Sequence, residues 1–313
     1  MSPTPATAGE QPGAAHRDQP ASAPRRVLVI YNPVAGTRQR RRFGATLRHL
    51  TMAGCTVTVR ETGAVGAAGT LARTALDEDQ DVIVAAGGDG TINEIINAVA
   101  GTSAVLGLIP LGTANVLAAE IGLPADPRGI AEVIAHGRPR PIYLGTVGNR
   151  RFTMMASFGF DAHAVDRVSL PLKRRLGKIA YVASALGAWL RHRDVRFSLL
   201  IDGRAASAAS VVVANGHYYA GRFQCAPDAR LEDPRLHVCL LERPGRWNLL
   251  RYALALGAGQ LSRLSDVQIV PAQVVRVTAP AGEPIQADGD IVGETPAEFR
   301  VSTERLNLLM PKA

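Results

Sequence analysis

The sequence predicts a two-domain fold, in which a doubly wound α/β domain is followed by an antiparallel β-sandwich. The 313-residue chain is longer than a single hydrophobic core usually fills, and 47% of its residues are hydrophobic. As far as about residue 147, uninterrupted apolar runs alternate with helical segments. Beyond that point, short β-rich runs are separated by Gly, Asp and Pro, as in a sandwich.

Residues 1–24, MSPTPATAGEQPGAAHRDQPASAP, precede the first apolar run. They are rich in Pro, Ala and Gly and poor in large apolar groups, so folding would not offset their loss of conformational entropy. We therefore expect a disordered tail that can be removed without loss of activity. No stretch of the chain approaches 18 consecutive apolar residues, and no apolar segment follows the first charges, so neither a membrane-spanning helix nor a signal peptide is predicted.

The α/β domain is predicted over residues 25–147. Three apolar runs end in a loop that contains glycine, and they are RRVLVIYNPVAG (25–36), QDVIVAAGGDG (80–90) and AVLGLIPLGTAN (104–115). Continuous runs of this kind are typical of parallel strands that are buried on both faces. Between them, RRRFGATLRHLTMAG and VGAAGTLARTALDED have helical spacing, and CTVTVRET alternates as a strand does. The βαβα order indicates a doubly wound sheet.

The β-sandwich is predicted over residues 148–303. Its predicted strands lie in the runs RFTMMASFGF, VRFSLLIDG, SVVVANGHYY, LHVCLLE, VVRVTAPAG, PIQADGD and EFRVSTERLNLLM. Two segments, 170–193 and 246–264, interrupt these strands with apolar residues at helical spacing and basic edges. We expect both segments to pack on the sheet or beside its opening.

The loop GGDGT, residues 87–91, carries the strongest sign of chemistry. Ligands of a parallel sheet bind at the carboxyl ends of the strands, where all three glycine-containing loops are predicted to converge. Gly87 and Gly88 would let the backbone approach a bulky anion, and the helix that follows offers its positive N-terminal end to phosphate. Asp89 would then bind Mg²⁺, a ribose or an acceptor hydroxyl. The alternative is structural, because residues 91–94 fit a capping box and Gly101 fits a helix stop.

The segment GGDGTINEIINAVAG, with YNPVAG upstream and LGLIPLGTANVLAAEIGLP downstream, resembles the diacylglycerol kinase catalytic-domain family. Bacterial members of that family are similar to diacylglycerol and sphingosine kinases. The similarity continues through FGFDAHAV, KRRLGKIAYVASAL, ANGHYYAGRFQCAPDARLEDPRLHVCLL and ADGDIVGETPAEFRV, and covers almost everything from Arg25 to the C-terminus. GGDGT alone is shared with NAD kinases and phosphofructokinase-like enzymes, whereas its combination with PLGTAN and a late DG-acid motif is more specific.

The resemblance implies a three-layer N-terminal domain similar to phosphofructokinase and NAD kinase, to which a last strand at about residues 304–313 returns. It also implies an ATP- and Mg²⁺-dependent lipid kinase that transfers the γ-phosphoryl group to a hydroxyl of a lipid acceptor such as diacylglycerol. The nucleotide contacts that it implies are Asn32, Thr62, Gly87, Gly88, Asp89, Gly90, Thr91, Ile92, Asn93, Gly112 and Thr113. Without the resemblance, Asn32-Pro33 indicates a turn and Thr62 an ordinary strand end.

The motif Ala287-Asp288-Gly289-Asp290 corresponds to the family's DGE, whose last acid is the general base for the acceptor hydroxyl. Asp290 stands where the family has Glu and is implied as that base, with Asp288 beside it in substrate or metal contact. A shorter carboxylate keeps the chemistry and changes the geometry, since phosphoryl transfer depends mainly on positioning and charge neutralisation. Taken alone, DGD between strands indicates a turn.

A second part of the resemblance concerns a structural Mg²⁺. In the family, one Asp side chain and two backbone carbonyls bind this ion, and here Asp233 is the matching acid, with carbonyls from Arg230 and Arg235. Oxygen ligands from a loop suit Mg²⁺. Pro234 stands where the family usually has Gly, and a surface turn is the alternative.

The charge balance favours an anionic partner. Lys and Arg number 35 against 27 Asp and Glu, which gives a net charge of +8. The basic clusters would attract a peripheral enzyme to an anionic membrane surface, at about 1 kcal/mol for each basic group near it, although any one of them is usually a solvated face. These clusters are Arg38 with Arg40–Arg42, Lys173–Arg175, and Arg191 with Arg193. Aromatic residues make up 5% and no recognition motif is present, so no nucleic acid partner is expected.

Two other functions stay open at this point. An NAD kinase-like enzyme would use the same GGDGT loop on a soluble acceptor, and a catalytically inactive lipid-binding homologue is suggested by Asp290 and Pro234. The three cysteines, Cys55, Cys225 and Cys239, lack CxxC spacing and are expected to be buried and reduced, and the scattered histidines lack zinc-ligand spacing. We expect a cytoplasmic, peripherally membrane-associated protein. The sequence identifies neither the acceptor lipid nor the oligomeric state, and a homo-oligomer is one of the alternatives.

Overall fold

The computed structural model describes residues 24–34, 39–64, 66–160, 162–163, 194–219 and 221–312. Within these ranges, three six-stranded sheets form an α/β domain and a β-sandwich, which confirms the predicted fold class. Outside them lie residues 1–23 of the predicted tail, the predicted helical segment 170–193, and the basic residues Arg38, Lys173, Arg174, Arg175, Arg191 and Arg193.

The first sheet contains β1 (Arg26–Tyr31), β2 (Thr56–Glu61), β3 (Val82–Gly87), β4 (Val105–Pro110), β5 (Arg138–Ile142) and β18 (Leu306–Met310), in the order β2-β1-β3-β4-β18-β5. All neighbours are parallel except β18 and β5. β1, β3 and β4 are buried over almost their whole length, because helices cover both faces of the sheet. β18 brings the C-terminal end of the chain between β4 and β5.

Five helices cover this sheet, and they are α1 (Arg40–Met52), α2 (Ala67–Ala75), α3 (Asp89–Val99), α4 (Val116–Glu120) and α5 (Pro127–His136). α2 and α3 pack on one face, against a cluster that includes Leu28 and Ile30. α1 and α5 pack on the other face, against a cluster that includes Val27 and Val29. Alternate side chains of β1 thus enter different layers, and the domain has three layers.

The sandwich consists of two antiparallel sheets. The second sheet contains β6 (Gly145–Val147), β7 (Arg150–Phe152), β9 (Phe197–Ile201), β10 (Arg204–Ala208), β14 (Val274–Ala279) and β17 (Ala297–Val301), in the order β10-β9-β14-β17-β6-β7. The third contains β8 (Met155–Phe158), β11 (Ser210–Ala214), β12 (Leu236–Leu241), β13 (Val267–Ala272), β15 (Pro284–Ala287) and β16 (Asp290–Glu294), in the order β13-β12-β11-β8-β15-β16. β6 belongs to the second sheet, so the sandwich begins inside the range that the sequence assigned to the first domain.

Side chains from both sheets fill the interior of the sandwich. Phe152, Phe158, Phe197 and Phe299 are fully buried there. The rings of Phe158 and Phe197 meet edge to face with centroids 4.9 Å apart, a favourable aromatic geometry. This core fixes the position of the strands whose ends reach the first domain.

The predicted segment 246–264 forms α6 (Arg246–Gly257) and a short 3₁₀ turn (Leu261–Arg263). α6 packs on the outer face of the third sheet, through a cluster that includes Leu249, Tyr252 and Cys239. Cys55, Cys225 and Cys239 are buried and free, as the sequence predicts. Within the part of the chain that the structure describes, no helix has the length and apolar character needed to cross a membrane.

Candidate active site

Two glycine-containing loops meet at the carboxyl ends of β3 and β4. A Cβ on Gly112 would lie 2.7 Å from the Cα of Gly88, and one on Gly87 would lie 2.7 Å from the Cβ of Thr91. Gly87 and Gly112 are therefore required by contacts within the protein, whereas a Cβ on Gly88 would lie 3.4 Å from the Cα of Gly112. A Cβ on Gly90 would meet no atom within 4 Å, so this position is the open one.

α3 begins directly behind this junction, at Asp89, and Gly88 is its N-cap. Gly88 has no side chain that could accept hydrogen bonds from the first-turn amides, and the structure shows no side-chain cap there. An uncapped helix N-terminus, with its positive end of the helix dipole, favours the binding of phosphate.

The capping box considered from the sequence is not formed. The hydroxyl of Thr91 accepts a hydrogen bond from Nδ2 of Asn32 at 2.9 Å. Oε1 of Glu94 accepts the N–H of Gly66 at 3.1 Å, at the start of α2. Both side chains thus make tertiary contacts, and Asn32 ties the end of β1 to α3. The predicted helix stop is present, since Gly101 has a φ of 80° just after the end of α3.

The Asp89 carboxylate joins the two glycine loops. Its Oδ2 accepts the N–H of Asn115 at 2.9 Å and its Oδ1 accepts the N–H of Val116 at 2.8 Å, so Asp89 caps α4 from a different helix. Asn115 has a left-handed backbone, and its side-chain amide bonds to the N–H and the carbonyl oxygen of Gly112, at 2.9 and 3.0 Å. Each carboxylate oxygen retains a lone pair, with which Asp89 can contact a cation or a hydroxyl.

The other predicted nucleotide contacts fall into exposed and buried positions. Thr113 is exposed on the loop between β4 and α4. Thr62 is 8% exposed at the end of β2 and donates its N–H to the carbonyl oxygen of Tyr31. Ile92 is 2% exposed in the core, and its N–H donates to the carbonyl oxygen of Gly88 at 3.0 Å. Neither the side chain nor the N–H of Ile92 is therefore available to a nucleotide.

Asp288 and Gly289 form the turn between β15 and β16. Both have a positive φ, 47° and 87°, as a type I′ hairpin turn requires and as Asp-Gly favours. The interpretation of this motif as a turn is therefore right. The turn fixes Asp290 as the first residue of β16, paired with Ala287.

The carboxylate of Asp288 is held by backbone amides of the sandwich. It accepts the N–H groups of Thr153 at 2.6 Å, Met154 at 2.9 Å and Met155 at 3.1 Å. Desolvation by the surrounding residues raises the pKa of Asp288 to about 6, the three amides oppose that rise, and the negative charge of Asp89 adds to it. The GGDGT loop and the DGD hairpin thus approach closely enough for their carboxylates to repel each other.

Asp290 is more exposed than its neighbour. Its side chain is 49% exposed, and Oδ2 lies 3.9 Å from Nη2 of Arg150, a loose ion pair at the surface. A carboxylate in this position keeps both oxygens accessible to an incoming hydroxyl group.

A line of polar contacts joins α3 to the sandwich beside Asp288. The side chain of Asn97 donates to the carbonyl oxygen of Arg151 at 3.1 Å and accepts its N–H at 3.0 Å. The side chain of Asn215 donates to the carbonyl oxygen of Thr153 at 2.8 Å. Along this line, the structure as described gives no hydrogen-bond partner to Nδ2 of Asn93, Oγ1 of Thr153 or Oδ1 of Asn215, although all three atoms are buried. Buried polar atoms are nearly always satisfied, so these three atoms retain hydrogen-bonding capacity for ordered water or a polar ligand.

Glu120 at the end of α4 makes a further contact between the domains. Its side chain, only 4% exposed, accepts the N–H of His217 at 3.0 Å and that of Tyr218 at 3.1 Å, and Oε1 lies 2.7 Å from Nδ1 of His217. The residues predicted from the sequence did not include Glu120, His217, Asn97, Thr153 or Asn215. An acid at the end of the apolar helix VLAAE was the signal that could have pointed to Glu120.

The predicted structural Mg²⁺ site has a different arrangement. The Arg235 guanidinium bonds to both oxygens of Asp233, at 2.9, 3.1 and 2.6 Å, and lowers the pKa of that carboxyl. The carbonyl oxygen of Arg230 accepts the N–H of Asp233 at 3.0 Å. Across the residues that the structure describes, no group of three or more His, Cys, Asp or Glu side chains is arranged to hold a metal. The carboxylate of Asp233 is thus paired with the guanidinium of Arg235, and a Mg²⁺ site made of this carboxylate and two backbone carbonyls stays a prediction.

Two family models match the chain. The model described as diacylglycerol kinase catalytic domain matches residues 26–147. The model described as YegS C-terminal NAD kinase beta sandwich-like domain matches residues 154–310. The first match covers most of the α/β domain, and the second covers most of the sandwich and β18.

Curated relatives and solved structures cover most of the chain. It is similar to the diacylglycerol kinase of Bacillus subtilis, with 29% identity over 92% of this chain and 97% of the relative. It is also similar to the diacylglycerol kinase of Mycobacterium tuberculosis, with 30% identity over 77% of this chain and 81% of the relative. A crystal structure from Bacillus anthracis matches with a TM-score of 0.78 and 21% identity, over 94% of this chain and 98% of that chain, which supports the fold.

Proposed function

Since the chain belongs to the diacylglycerol kinase catalytic-domain family and is a kinase, we propose that it transfers the γ-phosphoryl group of ATP to a hydroxyl of a lipid acceptor such as diacylglycerol. One observation carries the proposal: α3, which begins at the GGDGT loop, bonds through Asn97 to Arg151 of the sandwich, next to the amides that hold Asp288, so two acidic loops from different domains come together. Burial raises the pKa of Asp288, and the charge of Asp89 adds to that rise. A kinase must hold nucleotide and acceptor at one place, and this junction joins a phosphate-binding sheet edge to the sandwich.

The nucleotide phosphates are proposed to bind at the N-terminus of α3. The open side of Gly90 and the uncapped first turn of the helix support this position. Asn32 and Thr113 flank the same edge, at the ends of β1 and β4. Gly87, Gly88 and Gly112 act indirectly in this proposal, because they bring the two loops into contact.

Mg²⁺ is proposed to be held by Asp89 and Asp288. The fit rests on the repulsion between these two carboxylates, since a divalent cation beside both would relieve it, and carboxylate oxygens are the ligands that Mg²⁺ prefers. Bound there, Mg²⁺ would neutralise charge on the phosphoryl group in transfer. The backbone amides that hold each carboxylate keep it aimed at the junction.

Asp290 is proposed as the general base. It follows the Asp288-Gly289 turn directly, and its exposed oxygens can accept the proton of the acceptor hydroxyl as the phosphorus–oxygen bond forms. Arg150, 3.9 Å away, forms a loose ion pair with one of these oxygens and leaves the other accessible. The acceptor is proposed to enter from the sandwich, at a cytoplasmic, anionic membrane surface.

The test is a transfer assay with the purified full chain, Mg²⁺ and γ-labelled ATP. Diacylglycerol in mixed micelles, a total lipid extract and NAD are offered separately, and the label is partitioned between organic and aqueous phases. Label in the organic phase is the expected result, and its loss in Asp290→Asn, with ATP binding retained, supports the role of Asp290. Label on NAD would support a soluble acceptor instead, and absence of both transfer and ATP binding would support a lipid-binding protein.

A further inference from the structure

α6 is apolar on two faces. Leu249 and Tyr252 are buried against the third sheet, whereas Trp247, Leu250 and Leu254 are 65%, 40% and 66% exposed. The three exposed side chains are spaced i, i+3 and i+7, which puts them in one stripe along the outer side of the helix. A soluble helix that packs on a sheet normally shows a polar outer face, so an apolar outer stripe indicates a second apolar contact.

The orientation of this stripe is fixed from within the protein. Asp266, whose side chain is 4% exposed, accepts the hydroxyl of Tyr252 at 2.6 Å and pairs with the guanidinium of Arg251. The N–H of Arg243, ahead of the helix, donates to the same Tyr252 hydroxyl at 3.1 Å. Because these contacts hold both the start and the middle of α6, the helix cannot roll to bury its outer residues.

The stripe has a positive border. From Arg243 to Ser265 the chain contains no Asp or Glu, and its arginines include Arg243, 63% exposed, and Arg246. The Arg246 guanidinium lies 5.8 Å from the centroid of the Trp247 ring. Trp beside Arg, next to exposed leucines, is the composition of helices that lie in the interface of an anionic membrane.

We propose that the outer face of α6, formed by Trp247, Leu250 and Leu254, docks into the surface of an anionic phospholipid bilayer, with Arg243 and Arg246 at the level of the lipid phosphates. The proposal rests on the lipid kinase function proposed above and names the surface through which the enzyme reaches its acceptor. An anionic bilayer matches both the apolar stripe and the positive border, whereas a second copy of this chain would present the same positive border in a symmetric contact.

The docked face is connected to the acidic junction. The cluster beneath α6, which includes Leu249 and Tyr252, also includes Met155. The N–H of Met155 donates to the carboxylate of Asp288 at 3.1 Å. Apolar contacts on the outer face of the third sheet thus connect α6 to Met155, whose N–H binds the carboxylate of Asp288.

Fluorescence of Trp247 tests the proposal in the full-length protein. The chain has two tryptophans, so Trp189→Phe leaves Trp247 as the single reporter. With vesicles of phosphatidylcholine containing about one third phosphatidylglycerol, we expect a blue shift of emission and quenching by brominated acyl chains, both weaker with phosphatidylcholine alone. Vesicle binding without any change at Trp247 would overturn the proposal.

A pair of variants separates this inference from the proposed function. Leu250→Ser with Leu254→Ser is expected to lower partitioning onto the anionic vesicles at least tenfold. Met52→Ser, at an 80% exposed position on α1, is the matched control and should bind as the parent does. Turnover should fall with diacylglycerol in vesicles and stay unchanged with a short-chain diacylglycerol in solution.

The outcomes distinguish the two claims. If the parent protein phosphorylates neither diacylglycerol nor any lipid of the total extract, the proposed function is contradicted, while vesicle binding through Trp247 would still support the docking surface. Full vesicle binding by the double serine variant would overturn the docking surface and leave the kinase assay intact. A parent dimer in sedimentation velocity that the same variant dissociates would also overturn it, since the face would then bind a second copy.

Discussion

Glycine serves two different purposes at the loop junction. A Cβ on Gly112 would lie 2.7 Å from the Cα of Gly88, so these residues let two backbones touch. Gly90 has open space beside it, at the uncapped start of α3, which suits the approach of phosphate oxygens. The sequence could not separate these purposes, because the partner of Gly88 lies in a different loop.

Alanine substitutions should separate them. Gly112→Ala is expected to lower the free energy of unfolding by about 1–3 kcal/mol, since one of two backbones must move. Gly90→Ala should leave that free energy unchanged or raise it by up to about 1 kcal/mol, because Ala is the better helix former, and should weaken ATP binding at least tenfold. Urea unfolding and calorimetric titration with ATP check both. Equal losses of stability in the two variants would contradict the distinction.

Asp288 has an internal counterpart in Asp202. Both precede a Gly in a two-residue hairpin turn and have a positive φ, 47° at Asp288 and 45° at Asp202. The Asp202 carboxylate also accepts backbone amides, from Gln273 and Val274. Asp288 lies beside the amides of Thr153 and Met155, whereas Asp202 lies between β9 and β10 in the other sheet of the sandwich, so Asp202 serves as a control for the turn itself.

The stability of the protein should report the pKa of Asp288. Its pKa is about 6 in the folded state and 3.8 in the reference state, so the folded state binds the proton more tightly. The contribution of Asp288 to the free energy of unfolding is complete below the lower value and is lost as the pH rises through the higher one. Between pH 5 and pH 7.5, the free energy of unfolding of the parent should fall by about 1 kcal/mol relative to that of Asp288→Asn. Urea unfolding in the presence of EDTA measures this difference.

The control for this experiment is Asp202→Asn. This variant should retain turnover with ATP and diacylglycerol, whereas the turnover of Asp288→Asn should fall at least a hundredfold. A parent protein that gains stability relative to Asp288→Asn between pH 5 and pH 7.5 would contradict the raised pKa.

At the scale of helices and loops, side chains from neighbouring elements replace local caps. α4 is capped by Asp89 of α3, and Thr91 of α3 bonds to Asn32 at the end of β1. The sequence predicted a helix directly after GGDGT, and the structure has one. The capping box at residues 91–94 was wrong because the side chains of Thr91 and Glu94 bond to Asn32 and Gly66 instead. Partners so distant in sequence leave no local signal.

Removing the cap on α4 should loosen one loop. In Asp89→Ala, the amides of Asn115 and Val116 lose their acceptor, and we expect their hydrogen exchange to become at least tenfold faster. Exchange at Thr153 and Met154 should stay as in the parent protein, while Asp288→Ala should give the opposite pattern. Faster exchange at both places in Asp89→Ala would indicate general destabilisation and contradict the local role.

The contact of Glu120 between α4 and the sandwich should contribute more to the free energy of unfolding than an ion pair at the surface does. Glu120→Ala leaves partly buried donors of His217 and Tyr218 without an acceptor, and should lower the free energy of unfolding by about 2–4 kcal/mol. Glu120→Gln keeps one acceptor oxygen, so its free energy of unfolding should fall less than that of Glu120→Ala. Glu232→Ala removes an exposed pair with Arg140 and should change the free energy by less than about 1 kcal/mol. Urea unfolding of all three checks the order, and equal losses would contradict it.

At the scale of the whole molecule, the fold was predictable where the pattern of apolar residues was strong. β1, β3 and β4 are continuous apolar runs, and they form the centre of the first sheet together with β18. β5 was missed because its sequence, RPRPI, contains two prolines, which are tolerated only because it is an edge strand. The family resemblance alone assigned Asp288 to substrate or metal contact, because no local pattern links Asp288 to residues as far away in sequence as Asp89.

The return of β18 to the first sheet makes the two domains inseparable in a simple truncation. Leu306, Leu308 and Leu309 of β18 are at most 1% exposed, and β18 lies between β4 and β5. We therefore expect residues 24–147 alone to lack cooperative thermal unfolding, since their sheet would be interrupted beside β4. Ile142 pairs with Leu306 in antiparallel register, so a short Asn-Gly turn can join residues 24–143 to residues 305–312.

This joined chain should unfold cooperatively and bind ATP, as followed by circular dichroism and calorimetry. The same chain with Leu308→Asp places a charge in the core and should behave like the fragment without β18. If residues 24–147 alone unfolded cooperatively with the same midpoint as the joined chain, β18 would be dispensable. The nucleotide-binding sheet would then be complete without the C-terminus, contrary to the topology described above.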